Sequence, residues 1–206
     1  MADLRRVTGG MLRCMASLGM RDPKPAGPQP NEASLREAAV AYLAKFSATE
    51  AGLVRVLDRR IDRWARAANA EPELVLQSRG WAREVARRLV AAGIVNDSAF
   101  AELRAGALTR AGRSRRAVAA HLAARGVDGD VAAAVLPTDS ETELGAALAF
   151  ARRRRIGPFL RPDAEPDEMR ALGMLARAGF SHTVALEALR MAPNEAEDAV
   201  IRLRQP

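Results

Sequence analysis

A single cysteine, Cys14, stands in 206 residues. The chain therefore has no internal disulfide and no cysteine-built zinc site. A lone thiol suits a reducing compartment, and a cytoplasmic location is expected. No run of about 18 apolar residues occurs, which leaves no candidate membrane span. The start, MADLRRVTGGMLRCMASLGM, is basic but lacks the continuous apolar stretch of a secretory signal, and it is read as untranslocated. No alternating Val/Ile-rich run marks a strand.

Signatures of chemistry are missing as well. Neither lysine, Lys24 nor Lys45, follows a glycine-rich phosphate loop. There is no nucleophile elbow and no carboxylate pair with an acid–base role. His121 and His182 each lack a second ligand at helical spacing, and Cys14 lacks a partner base. The expectation is a non-enzyme that uses neither metal nor cofactor.

What remains is rich in helix formers. Hydrophobic residues make up 49% but aromatics only 4%, so the apolar content is mainly Ala, Leu and Val. Ala and Leu head the helix scale, and an all-α protein follows. The formal net charge is +7, and all but two of the 32 basic residues are arginine. Codon bias accounts for part of that skew. The alternative is a surface facing polyanions or carboxylates, since the guanidinium fork grips either in bidentate fashion.

Residues 22–30 read DPKPAGPQP and hold four of the eleven prolines. Residues 1–31 are thus expected to form a disordered tail ahead of a helical domain over 32–206. Amphipathic spacing predicts helices over 33–45, 48–66, 73–92, 97–110, 114–124, 129–135, 141–153, 167–178, 182–190 and 195–203. Ser47, Ser140 and Asn194 each stand three before a glutamate and are expected to cap.

An internal device recurs. Leu89-Val90-Ala91-Ala92-Gly93-Ile94, Leu122-Ala123-Ala124-Arg125-Gly126-Val127 and Leu175-Ala176-Arg177-Ala178-Gly179-Phe180 share one pattern. The glycine ends a helix, the apolar residue staples the turn, and a polar residue starts the next helix. Leu57-Asp58-Arg59-Arg60-Ile61 reads as a degenerate copy without its glycine. Such periods point to stacked helical units, which serve as scaffolds and as DNA readers alike.

Several motifs, in order, resemble the RecX family. Ile94-Val95-Asn96-Asp97-Ser98-Ala99-Phe100-Ala101 is similar to the family's apolar pair, Asn-Asp, two variable residues and Phe-Ala. Gly112-Arg113-Ser114-Arg115-Arg116-Ala117-Val118 resembles its glycine and basic helix start. Arg152-Arg153-Arg154-Arg155-Ile156-Gly157-Pro158 looks like a basic Gly-Pro link, and Leu175–Ser181 resembles the closing Leu-Ala-x-x-Gly-Phe-Ser. The resemblance spans about residues 35–190. The resemblance implies an elongated array of tandem three-helix repeats. It also implies a regulator that lies along the RecA–single-stranded DNA filament and inhibits its ATPase and strand exchange, modulating DNA repair and recombination. A sequence-tolerant DNA-binding helical repeat protein is the alternative, and a monomer is expected in either case.

Two clusters are the candidate contacts. Arg113, Arg115 and Arg116 open a helix whose core face is Val118, Ala119 and Leu122. Contact with phosphate or acidic side chains competes there with a plain solvated face. Arg152, Arg153, Arg154 and Arg155 end a helix, where cations suit the negative dipole end whether or not a polyanion binds. Asn96-Asp97 is read as a cap, and Phe100, Phe180, Trp64 and Trp81 as core.

Overall fold

Leu and Ala at helical spacing bury three separate apolar seams, and the chain folds around them in sequence. The computed structural model describes residues 27–205. Module 1 packs α1 (Glu32–Leu43), α2 (Glu50–Ala68) and α3 (Pro72–Ala91). In α2 the residues Leu53, Leu57 and Ile61, one helical turn apart, face Leu35, Val85 and Leu89. Module 2 packs α4 (Asp97–Arg110), α5 (Arg115–Arg125) and α6 (Gly129–Val135) around Ala101, Val118, Leu122 and Val127. Module 3 holds α7 (Ser140–Arg154), a 3-10 turn (Gly157–Phe159), α8 (Glu168–Arg177), α9 (His182–Arg190) and α10 (Pro193–Arg204). Gly145 to Ala151 of α7 are all buried, and the glycine and four alanines among them let α4, α9 and α10 close in around that helix. No strand occurs among the described residues.

All ten expected helices are present, with ends within two residues of expectation. The caps differ. Thr49, not Ser47, caps α2 through Gly52 N–H, and Asp139, not Ser140, caps α7 through Thr142 N–H. α10 follows Ala192 with Pro193 at its first position and has no side-chain cap. The preset φ of proline and its missing N–H serve instead. Asn96 caps α4 as expected.

The repeat also needs correction. Gly93, Gly126 and Gly179 do end helices at positive φ, but Gly93 closes the last helix of module 1 while Gly126 and Gly179 close middle helices. The 33-residue interval is therefore not a module period. Leu57–Ile61 lies inside α2 and makes no turn. Ile94 is 58% exposed, and its neighbour Val95 is the buried staple. Two further copies of the turn occur, at Leu108–Gly112 and Ala151–Arg155. Each shows the same pair of hydrogen bonds, such as Arg113 N–H to Leu108 O at 3.0 Å and Ile156 N–H to Ala151 O at 3.1 Å.

One joint is used twice between modules. Thr49 Oγ1 donates to Arg125 O at 2.7 Å, the carbonyl just before Gly126. Ser114 Oγ donates to Ala178 O at 2.7 Å, the carbonyl just before Gly179. In both, the same hydroxyl accepts its own helix's N3 amide, from Gly52 and from Ala117. In both, the first amide of that helix donates to an acid of the next module's first helix. Glu50 N–H meets Asp97 Oδ1, and Arg115 N–H meets Glu143 Oε2, each at 2.9 Å. The positive N-terminus of α2 thus abuts the negative C-terminus of α5, and that of α5 abuts α8. The approach is close. A Cβ on Gly126 would lie 2.5 Å from Ala51 Cβ, and one on Gly179 would lie 2.7 Å from Ser114 Oγ. α8 begins at Asp167, which accepts Arg170 N–H. An ionised carboxylate has no hydrogen to donate, so Asp167 lacks the second bond that Thr49 and Ser114 make.

The end of the proline-rich segment lies on module 1. Trp64 Nε1 donates to Gly27 O at 3.1 Å, and buried Ser78 Oγ donates to Pro30 O at 3.1 Å. The tail expected over 1–31 falls mostly on residues 1–26, outside the described residues, as does Cys14.

Candidate protein and nucleic-acid interface

The two arginine clusters are held by different means. Gly112, at φ +76, turns the chain out of α4, and Ser114 caps α5. Arg113, Arg115 and Arg116 are consequently exposed at the module 2–3 joint. Arg115 is anchored through its backbone amide to Glu143, which leaves its guanidinium outside that bond. Burial pushes the Glu143 carboxyl above its usual range, while the hydrogen bond and charge of Arg115 oppose that shift. The stem of Arg116 covers Gly179: a Cβ there would meet Arg116 Cβ at 3.5 Å and Cδ at 3.7 Å. Arg116 therefore serves the joint as well as the surface.

The four arginines ending α7 divide further. Arg152 pairs with Glu197 of α10 at 2.6 Å, and Arg153 donates to Ala111 O at 2.5 Å. Both tie α7 to its neighbours. Arg153 and Arg154 lie over the Phe150 ring, at 5.8 and 5.6 Å from its centroid, and Phe150 meets Phe180 edge-on at 6.0 Å. Arg154 and Arg155 are exposed, and neither forms an ion pair among the described residues.

A third basic surface was not singled out from the sequence. Arg55, Arg59, Arg63 and Arg66 are exposed on α2 at spacings of four, four and three, which places them on one helix face. That spacing was readable. Arg55 at its N-terminal end donates to Arg125 O at 2.7 Å, so the row begins at the module 1–2 joint.

Phe100 and Phe180 pack in apolar clusters, as do Trp64 and Trp81. No group of three metal-ligating side chains occurs among the described residues. No described helix is long and apolar enough to cross a membrane. His121 accepts from Arg104 Nε at 3.1 Å. Burial depresses its pKa, and Arg104, Arg125 and Arg113 depress it further. The unfolded chain then binds a proton at His121 more readily than the folded one. This contribution to stability is complete above the unfolded value of about 6.5 and is lost as pH falls below it. His121→Gln should flatten the fall in melting temperature between about pH 7 and 5. An unchanged slope would remove His121 from the acid response.

Comparison with known proteins bears on this arrangement. A family model described as RecX, second three-helix domain, matches residues 96–136, which is module 2. The chain is 37% identical over 163 residues to a regulatory protein RecX of Myxococcus xanthus, covering 77% of this chain and 86% of that protein. A regulatory protein RecX of Mycobacterium marinum is 39% identical over 118 residues, covering 54% of this chain and 68% of the relative. The crystal structure of RecX from Lactobacillus salivarius superposes with a TM-score of 0.52 at 15% identity, covering 81% of this chain and 96% of that one. At that identity the superposition speaks for the fold.

Proposed function

Since the chain belongs to the RecX family, we propose that it is a non-enzymatic regulator that binds the RecA–single-stranded DNA filament and inhibits its ATPase and strand exchange. The observation that carries this reading is the 37% identity to a regulatory protein RecX over 86% of that relative's length. Residues 32–206 act as one tandem-helical unit in this account. Its modules are spaced by repeated joints, which suits a ligand that must span several subunits of a filament. The exposed arginines beside those joints, Arg113 and Arg115 above all, meet acidic side chains or phosphate on the filament.

Replacing Arg113 and Arg115 together by Ala should weaken inhibition of the RecA ATPase about tenfold, the size of one lost charge-assisted contact, with unchanged melting. Adding Arg116→Ala should also lower the melting temperature, because that stem covers Gly179. Full inhibition by the double variant would remove this patch from the interface.

The arginine row on α2 favours a second reading, sequence-tolerant DNA binding. It predicts affinity for naked DNA that falls steeply with salt. Absence of binding at low salt would sink it.

A further inference from the structure

Six helix ends among the described residues turn through a left-handed residue, and four place glycine there: Gly93, Gly112, Gly126 and Gly179. The other two place Asn69, at φ +46, whose short polar side chain tolerates the conformation, and Arg155, at φ +56. A side chain in that conformation is strained, and glycine would relieve it. Strain that persists where the chain elsewhere uses glycine or asparagine asks what the arginine side chain supplies.

Arg155 lines a pocket of about 530 Å³ between the end of α7, the 160–167 segment, α8 and α9. Arg154 and Arg170 also line it, and all three arginines are exposed and without an ion pair among the described residues. Ile156, Met174 and Leu189 add apolar lining. Glu165, Asp167 and Glu168 line it too; Asp167 accepts Arg170 N–H at 2.9 Å, and Glu168 is engaged by Arg190 at 3.1 Å. A nucleic-acid backbone would bring its phosphates near those carboxylates. A polypeptide offers an acid to the arginines and a large aliphatic side chain to the apolar lining.

We propose that this pocket docks a protein segment in which a carboxylate stands beside a large aliphatic side chain, with Arg155 held in its strained turn to receive the carboxylate. The inference rests on the filament reading above, and the segment is one exposed on the recombinase.

The test is binding of the full chain to RecA–single-stranded DNA filaments and, separately, to naked single-stranded DNA. Arg155→Gly should unfold at the same or a higher urea concentration, yet bind filaments about tenfold more weakly. The double variant Arg154→Ala/Arg170→Ala, which leaves the turn untouched, should lose filament affinity in the same way. Neither should change affinity for naked DNA. Wild-type affinity for filaments in both variants overturns the pocket and leaves the filament reading standing. An equal loss on naked DNA assigns these arginines to phosphate and overturns the peptide. If the unaltered chain fails to bind filaments at all, both readings fall.

Discussion

Gly112→Ala should destabilise the protein by about 2–5 kcal/mol, a large share of the roughly 5–15 kcal/mol that holds an ordinary domain folded. Two costs combine. The residue sits at φ +76, where a Cβ costs about 1–2 kcal/mol. The turn is also pressed onto α7: a Cβ would lie 2.7 Å from Phe150 N, 3.0 Å from Ala149 C and 3.1 Å from Ala146 O. All three are backbone atoms of a buried helix and cannot swing away, so overpacking adds about 1–3 kcal/mol. Gly80 is the internal control. It lies inside α3 with nothing within 4 Å of a built Cβ, and Gly80→Ala should stabilise by about 0.5–1 kcal/mol. Urea melts of the two variants check the pair. A Gly112→Ala loss below about 1 kcal/mol would mean that the α4 turn does not bear on α7 as described.

Ser114→Ala should cost about 2–4 kcal/mol, from a lost cap and a part-buried carbonyl left without its donor. Ser114 is fully buried, and its hydroxyl both holds Ala117 N–H and donates to Ala178 O. Thr49→Ala removes the equivalent hydroxyl at the other joint and should cost less, about 1–2 kcal/mol. The reason is that Arg55 also donates to Arg125 O, so that carbonyl keeps a partner. Ser114→Thr should be nearly neutral, and Ser114→Asp should not rescue, because a carboxylate caps but cannot donate. Equal losses at the two joints, or rescue by Asp, would contradict this division of roles.

The elements were legible from the sequence because their determinants are local. Leu53, Leu57 and Ile61 repeat at helical spacing, and Gly126 stops α5. The caps were less legible, since the spacing of a polar residue to a glutamate does not say where the chain turns. Thr49 caps α2 in place of Ser47 at the position where its hydroxyl also reaches Arg125, 76 residues away. No local pattern encodes that partner. The division of Arg152–Arg155 was hidden for the same reason: Glu197 and Ala111, which engage Arg152 and Arg153, are 45 and 42 residues distant. The turn at Gly112, with its Leu108, and the arginine row on α2 could have been read from their spacing, whereas the turn at Arg155 carries neither the leucine nor the glycine of the pattern. The family resemblance rested on Asn96-Asp97, Gly112–Val118 and Leu175–Ser181. The structure shows what those stretches build: a cap that also serves the first joint, and the two halves of the second.

Regulation of a recombinase filament is the role proposed for this array of modules. Its most direct test is the ATPase of RecA on single-stranded DNA, titrated with the full chain at fixed salt. Inhibition is expected at fewer than one molecule per RecA subunit, as for any ligand that spans subunits. An ATPase unchanged at several-fold excess, with naked DNA bound instead, would contradict it.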